Sequence, residues 1–156
     1  MKIGLLVHSV TGNTLSVMKK LQTVLAEKGH EVELKEIKTA AKVDVGQKEA
    51  DFTQNPSPVG YDAVVFGSHT EAFQLEAAMK LYFRQMDRIE GVKTACVSTH
   101  QFPFKWLGGN SAVRKMREMC EEKGAEVVGT AVIDWSPESK RQGKIDDSVS
   151  YIAGLF

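Results

Sequence analysis

Three hydroxyls stand close together near the N-terminus, in Ser9-Val10-Thr11-Gly12-Asn13-Thr14. The segment follows a short apolar run and precedes an apolar stripe at helical spacing, so it reads as a strand-to-helix loop. The first turn of a helix offers unpaired amides and a partial positive charge, which suits an anion. The hydroxyls add short donors, and Gly12 lets the backbone approach the anion closely. The nearest basic residue is Lys19, more than a turn inside the helix. A terminal phosphate would therefore be held mainly by amides and hydroxyls. Ser, Thr and Asn also serve as plain helix caps, but three hydroxyls exceed what one cap needs.

Histidines and aromatics supply the other candidates. His8, His69 and His100 each fall at or just past the end of an apolar run. Three imidazoles suit zinc, yet no carboxylate or thiol adjoins any of them in sequence. The reading is that one or two hydrogen-bond a ligand, that His8 is a satisfied residue beneath the first loop, and that no metal is bound. Phe73, and a cluster of Phe102, Phe104 and Trp106, offer faces on which a ring could stack. Cys96 lies in an apolar run and Cys120 on a helical apolar stripe, so both read as reduced core thiols. Competing phosphate motifs are missing. There is no G-x-x-x-x-G-K-[ST] and no G-x-G-x-x-G after the first run. The segment from Cys96 to Phe102 has no Arg to close a phosphatase loop, and His8-Ser9 and Gly67-Ser68 lack the acidic pair of a receiver domain.

These loops need a frame to hold them. Residues 3–7, 32–37, 63–66, 94–97 and 127–133 are short and rich in Val and Ile, and three are almost wholly apolar, as in strands buried on both faces. Between them run helical stripes: Leu15, Met18, Leu21 and Leu25; Leu75, Met79, Tyr82, Phe83 and Met86; Val113, Met116 and Cys120; Ile145, Val149, Ile152, Ala153 and Phe156. Gly29 and Gly124 stand where left-handed C-terminal caps belong. Residues 42–59 read as a long connection inside one domain spanning 1–156. The alternation predicts an α/β fold with a parallel sheet covered on both faces, and ligands bind beyond the C-terminal ends of such strands.

The chain's 156 residues suffice for one sizeable core. Its 20 Lys and Arg balance 20 Asp and Glu, which argues against nucleic acid or anionic lipid as a partner. No apolar run is long enough to span a membrane, and the N-terminal apolar segment is too short for a signal peptide. A cytoplasmic protein is expected.

The segment from Val7 to Thr14 resembles the phosphate loop of the flavodoxin family, roughly [ST]-x-T-G-[NF]-[ST]. Tyr61-Asp62-Ala63-Val64-Val65-Phe66-Gly67-Ser68 resembles the family's third strand and its exit. Ser98-Thr99-His100 with Gly108-Gly109 resembles its fourth-strand loop. The resemblance implies a flavodoxin-like three-layer sandwich, with a five-stranded parallel sheet in order 2-1-3-4-5, and FMN as cofactor. Carried over by position, Ser9, Val10, Thr11, Gly12, Asn13 and Thr14 would hold the phosphate. Ser68, His69, Thr70, Glu71 and Phe73 would cover one face of the flavin ring. Ser98, Thr99, His100, Phe102, Trp106 and Gly108 would contact its pyrimidine end and other face. The implied function is electron transfer, as a carrier or as a small FMN-dependent reductase. The partners would be a redox protein, or a nicotinamide donor with a small acceptor. A flavodoxin-like binding module without turnover is the alternative.

Overall fold

A computed structural model describes residues 1–101 and 108–156. Five parallel strands make the sheet: β1 (Lys2–Val7), β2 (Glu31–Glu36), β5 (Ala63–Glu71), β7 (Lys93–His100) and β8 (Glu126–Asp134), in spatial order β2-β1-β5-β7-β8. Counted along these five alone, that order is 2-1-3-4-5, the α/β arrangement expected. Val7 pairs with Gly67, and β5 then runs on beside β7 as far as His69 opposite Thr99.

Side chains alternate between the two faces of the sheet because strand periodicity is two. Ile3, Leu5, Val7, Val65 and Val97 face α1 (Asn13–Glu27) and α4 (Glu138–Ala153). Leu6, Val64, Phe66 and Cys96 face α2 (Ala77–Gln85) and α3 (Gly109–Glu122). The middle stretches of the central strands, residues 63–66 and 95–97, are apolar since neither face meets water there. On the second face Phe66, Tyr82 and Phe83 pack edge to face, with Phe66 and Phe83 centroids 5.0 Å apart. Cys96 and Cys120 lie in the same core as free thiols.

The caps follow the glycines. Gly29 and Gly124 have φ of 92° and 88°. The amides of His30 and Ala125 reach back to the carbonyls of Leu25 and Cys120, the hydrogen bond that closes a left-handed cap.

Among the described residues, the sequence reading misses three short strands. β3 (Lys38–Thr39) and β4 (Phe52–Gln54) form an antiparallel ribbon within what reads as a long connection. β6 (Gln74–Leu75) folds back on the end of β5. Helix α2 therefore begins at Ala77, and Phe73 sits in the β5–β6 turn, off any helix. Ala72 and Phe73 both take left-handed φ, 47° and 61°.

Candidate functional site

The first loop is held by its own serine. Ser9 Oγ accepts from the amides of Gly12 at 3.2 Å and Leu15 at 3.3 Å, drawing the loop over the start of α1. Gly12 caps that helix with φ 89°, and a Cβ there would meet none of the described residues within 4 Å. Its glycine is required by backbone conformation, since L side chains avoid that region. The cap residue Gly12 has no side chain to offer, among the described residues Ser9 Oγ takes only the Leu15 amide of the first turn, and that turn carries no acidic residue. The amide end therefore faces outward with its positive potential uncancelled. Val10 is 71% exposed, and Thr11 and Gly12 are exposed beside it.

Thr14 differs from its neighbours. It is 1% exposed, and its hydroxyl lies 2.8 Å from that of Thr99 at the end of β7. A second hydroxyl pair, Thr70 and Ser98 at 3.1 Å, joins the end of β5 to β7. Residues nominated separately in the sequence thus meet in pairs, one between α1 and β7 and one between the neighbouring strands β5 and β7. Gly108, with φ 110°, seats α3 against the β5–β6 turn, and a Cβ there would stand 2.5 Å from Phe73 Cα. Phe73 itself is 57% exposed. Phe102, Phe104 and Trp106 lie outside the described residues.

The remaining nominees are placed elsewhere. Ser68 is fully buried and donates to Glu76 Oε1 at 2.7 Å. His69 and Glu71 turn toward a cleft of about 520 Å³ beside β3, which His8, Ser9, Val10 and Lys42 also line. Glu71 pairs there with Lys42 at 3.7 Å. His100 is buried beneath Gly109 and pairs with Asp134, whose other oxygen lies 3.5 Å from Lys144 Nζ. The three histidines do not converge.

Two carboxylates escaped sequence reasoning. Glu76, at the N-cap of α2, is 2% exposed and stands between His8 Nε2 at 3.4 Å and His69 Nδ1 at 3.1 Å. Burial pushes its carboxyl well above the usual carboxylate range, against the hydrogen bond from Ser68. Burial likewise lowers the His69 imidazole, with His8 adding to it. The available signal was a lone carboxylate inside the apolar run from Leu75 to Met79. Asp134 follows the apolar run 131–133 at the end of β8 and gives the same kind of signal.

A sequence model of the flavodoxin family matches residues 5–147. Solved structures agree in fold. Flavodoxin 2 from Bacillus cereus superposes with a TM-score of 0.71 at 22% identity, covering 100% of both chains. A point mutant of flavodoxin from Pseudomonas aeruginosa gives 0.69 at 16% identity, over 99% of this chain and 98% of that one. Flavodoxin 1 from Bacillus cereus gives 0.65 at 18%, over 99% and 97%. The chain belongs to the flavodoxin family, and membership implies a flavin cofactor and electron transfer as the class of function.

Proposed function

We propose that this flavodoxin-family chain binds FMN at the ends of β1, β5 and β7 and serves as an electron-transfer flavoprotein. The observation that carries the reading is the open start of α1. Its glycine cap and carboxylate-free first turn fit one terminal phosphate dianion. Thr11 and Asn13 reach it from the exposed side and Thr14 from beneath, with Gly12 supplying the left-handed turn between them. Ser9 keeps the loop in shape, and Val10 shields its outer edge. Thr70 and Ser98 give the polar wall behind the ribityl chain, Thr99 supports the Thr14 hydroxyl, and the exposed Phe73 ring covers one flavin face. Ser68 supports that wall from the core, His100 braces the start of α3, and Gly108 keeps the Phe73 turn close. His69 and Glu71 contribute through their backbone, since their side chains line the neighbouring cleft. Phe102 and Trp106 are assigned the opposite flavin face on family resemblance alone. When bound, FMN supplies one- and two-electron chemistry, and the protein's part is binding, orientation and exclusion of water.

FMN is favoured over FAD because the loop suits one phosphate and lacks the glycine fingerprint that admits a pyrophosphate. Mass spectrometry of the flavin released from the purified chain tests this. FMN is expected, and recovery of FAD alone overturns the assignment. The overall charge balance weighs against a carrier that docks on basic partners, since such carriers are often strongly acidic, and so favours a reductase. Anaerobic mixing with NADH or NADPH decides between them. Bleaching of the flavin absorbance without an added reductase marks a reductase, and no bleaching marks a carrier.

A further inference from the structure

His69, Glu71 and Glu76 each place one ligating atom within 4.8 Å of the others, at the inner end of the cleft beside β3. From this convergence we propose a binding site for one divalent first-row transition ion, formed by these three side chains together with His8. It is separate from the flavin and does not depend on the flavin reading.

The orientation of His8 is fixed from behind. A carbonyl only accepts, so His8 Nδ1 carries the hydrogen that meets Ile37 O at 2.8 Å. In the neutral ring the lone pair is then on Nε2, and it faces Glu76 Oε2. Metal-binding histidines are oriented by this same outer bond. Glu76 is fixed too, because Ser68 holds Oε1 and turns Oε2 toward both rings. Among the described residues, His69 Nδ1 is buried without a hydrogen-bond partner.

The separations suit an ion. Ligands about 2.1 Å from a metal stand about 3.0 Å apart at octahedral angles and about 3.4 Å apart at tetrahedral ones. Glu76 Oε2 lies 3.1 Å from His69 Nδ1 and 3.4 Å from His8 Nε2. Two hydrogens, one on His69 Nδ1 and one on the Glu76 carboxyl, can bridge these contacts, and a bound cation takes the place of both. Glu71, at the rim, closes the set by side-chain rotation. Imidazole with carboxylate selects zinc, iron or manganese over the softer and harder ions. The cleft leaves outer positions open to water or to a small ligand.

The test uses the full chain after dialysis against a chelator, titrated with Co²⁺ by visible absorption and with Zn²⁺ by calorimetry. One equivalent is expected to bind, and His69→Gln and Glu71→Gln should each weaken it by about tenfold or more. Both side chains are only partly buried, so neither variant relies on replacing the buried Glu76. The N-terminal amine and His30, 3.2 Å apart, are a rival pair, so His30→Gln should leave the affinity unchanged. No saturation up to about 1 mM metal, binding unaffected by both cleft variants, or binding lost in His30→Gln would each overturn the site.

Discussion

Thr14→Val is the sharpest probe of the phosphate loop, because the structure fixes how its effect should divide. The substitution keeps the volume and removes one hydroxyl. In the parent, Thr14 Oγ1 and Thr99 Oγ1 lie 2.8 Å apart, and both residues are almost fully buried, at 1% and 3% exposure. Only one of the two donates in that bond. With a phosphate dianion at the start of α1, Thr14 donates outward, so Thr99 donates to Thr14. A hydrogen bond to a charged group contributes about 1.5–3 kcal/mol, so losing it weakens FMN by about 10- to 150-fold. Thr99→Val leaves that outer bond in place and removes only its support, costing about 1 kcal/mol or less in affinity. Without flavin, each single variant strands a buried hydroxyl and loses about 1–3 kcal/mol of stability. The double variant should lose less than the sum, since no hydroxyl is then left unpaired. Fluorescence titration with FMN and urea unfolding of the flavin-free chains give both quantities. If Thr14→Val binds FMN within about twofold of the parent, or if Thr99→Val is the more damaging, the loop does not hold phosphate in this way.

Two further expectations rest on different parts of the molecule. Gly108→Ala places a methyl 2.5 Å from the Phe73 backbone at a φ of 110°. It should cost roughly 1–3 kcal/mol in urea unfolding and also weaken FMN, because the Phe73 turn must retreat; an unchanged midpoint would contradict the contact. At the far end of β2, the Tyr61 hydroxyl donates to Glu33 at 2.7 Å, with Lys35 and Lys2 beside it, and holds that carboxyl down at about 2 from 4.5. The folded value lies below the unfolded one, so this stabilisation is complete above about pH 4.5 and is lost as pH falls toward 2. The parent's advantage over Glu33→Gln should therefore shrink across that window. A difference in unfolding free energy that stays constant from pH 7 to pH 3 would refute it.

The legible parts of the fold are those in which local pattern and burial agree. Strands β1, β5 and β7 are covered on both faces and read as apolar runs, and Gly29 and Gly124 mark helix ends because left-handed caps need them. The β3–β4 ribbon is mostly exposed, so its Lys, Thr and Gln carry no hydrophobic period. Leu75 reads as the start of a helical stripe because its spacing fits one, but it pairs with Thr70 in β6, ahead of α2. For the site, residue types were legible and partners were not. Thr14, Thr70, Ser98 and Thr99 were all nominated from sequence, yet which hydroxyl meets which depends on strand register. The histidines show the same limit. Their places at strand ends suggested one group, but side-chain direction sends His100 to Asp134 and joins His8 and His69 through a glutamate from α2.

That division has a functional consequence. Beyond Gly67 strand β5 has outrun β1; it pairs with β7 as far as His69 and then with β6, and the cleft lies where β1 has ended. Thr70 reaches toward β7 while His69 and Glu71 reach into the cleft. One strand end thus serves as a wall of both proposed sites. Reduction adds negative charge to a flavin, and a divalent cation across that wall favours the more negative form. Metal bound in the cleft should therefore raise the flavin midpoint potential. Linkage is reciprocal, so the reduced protein must bind the ion more tightly than the oxidised protein does. Lys42, already paired with Glu71, is displaced as the ion enters, which partly offsets the gain in positive charge and keeps the shift modest. Redox titrations with and without Zn²⁺ measure the first effect, and Zn²⁺ titrations of oxidised and dithionite-reduced protein measure the second. The two must agree in sign and size. A potential that Zn²⁺ leaves unmoved, in protein that demonstrably binds it, would show that the strand separates the sites electrostatically.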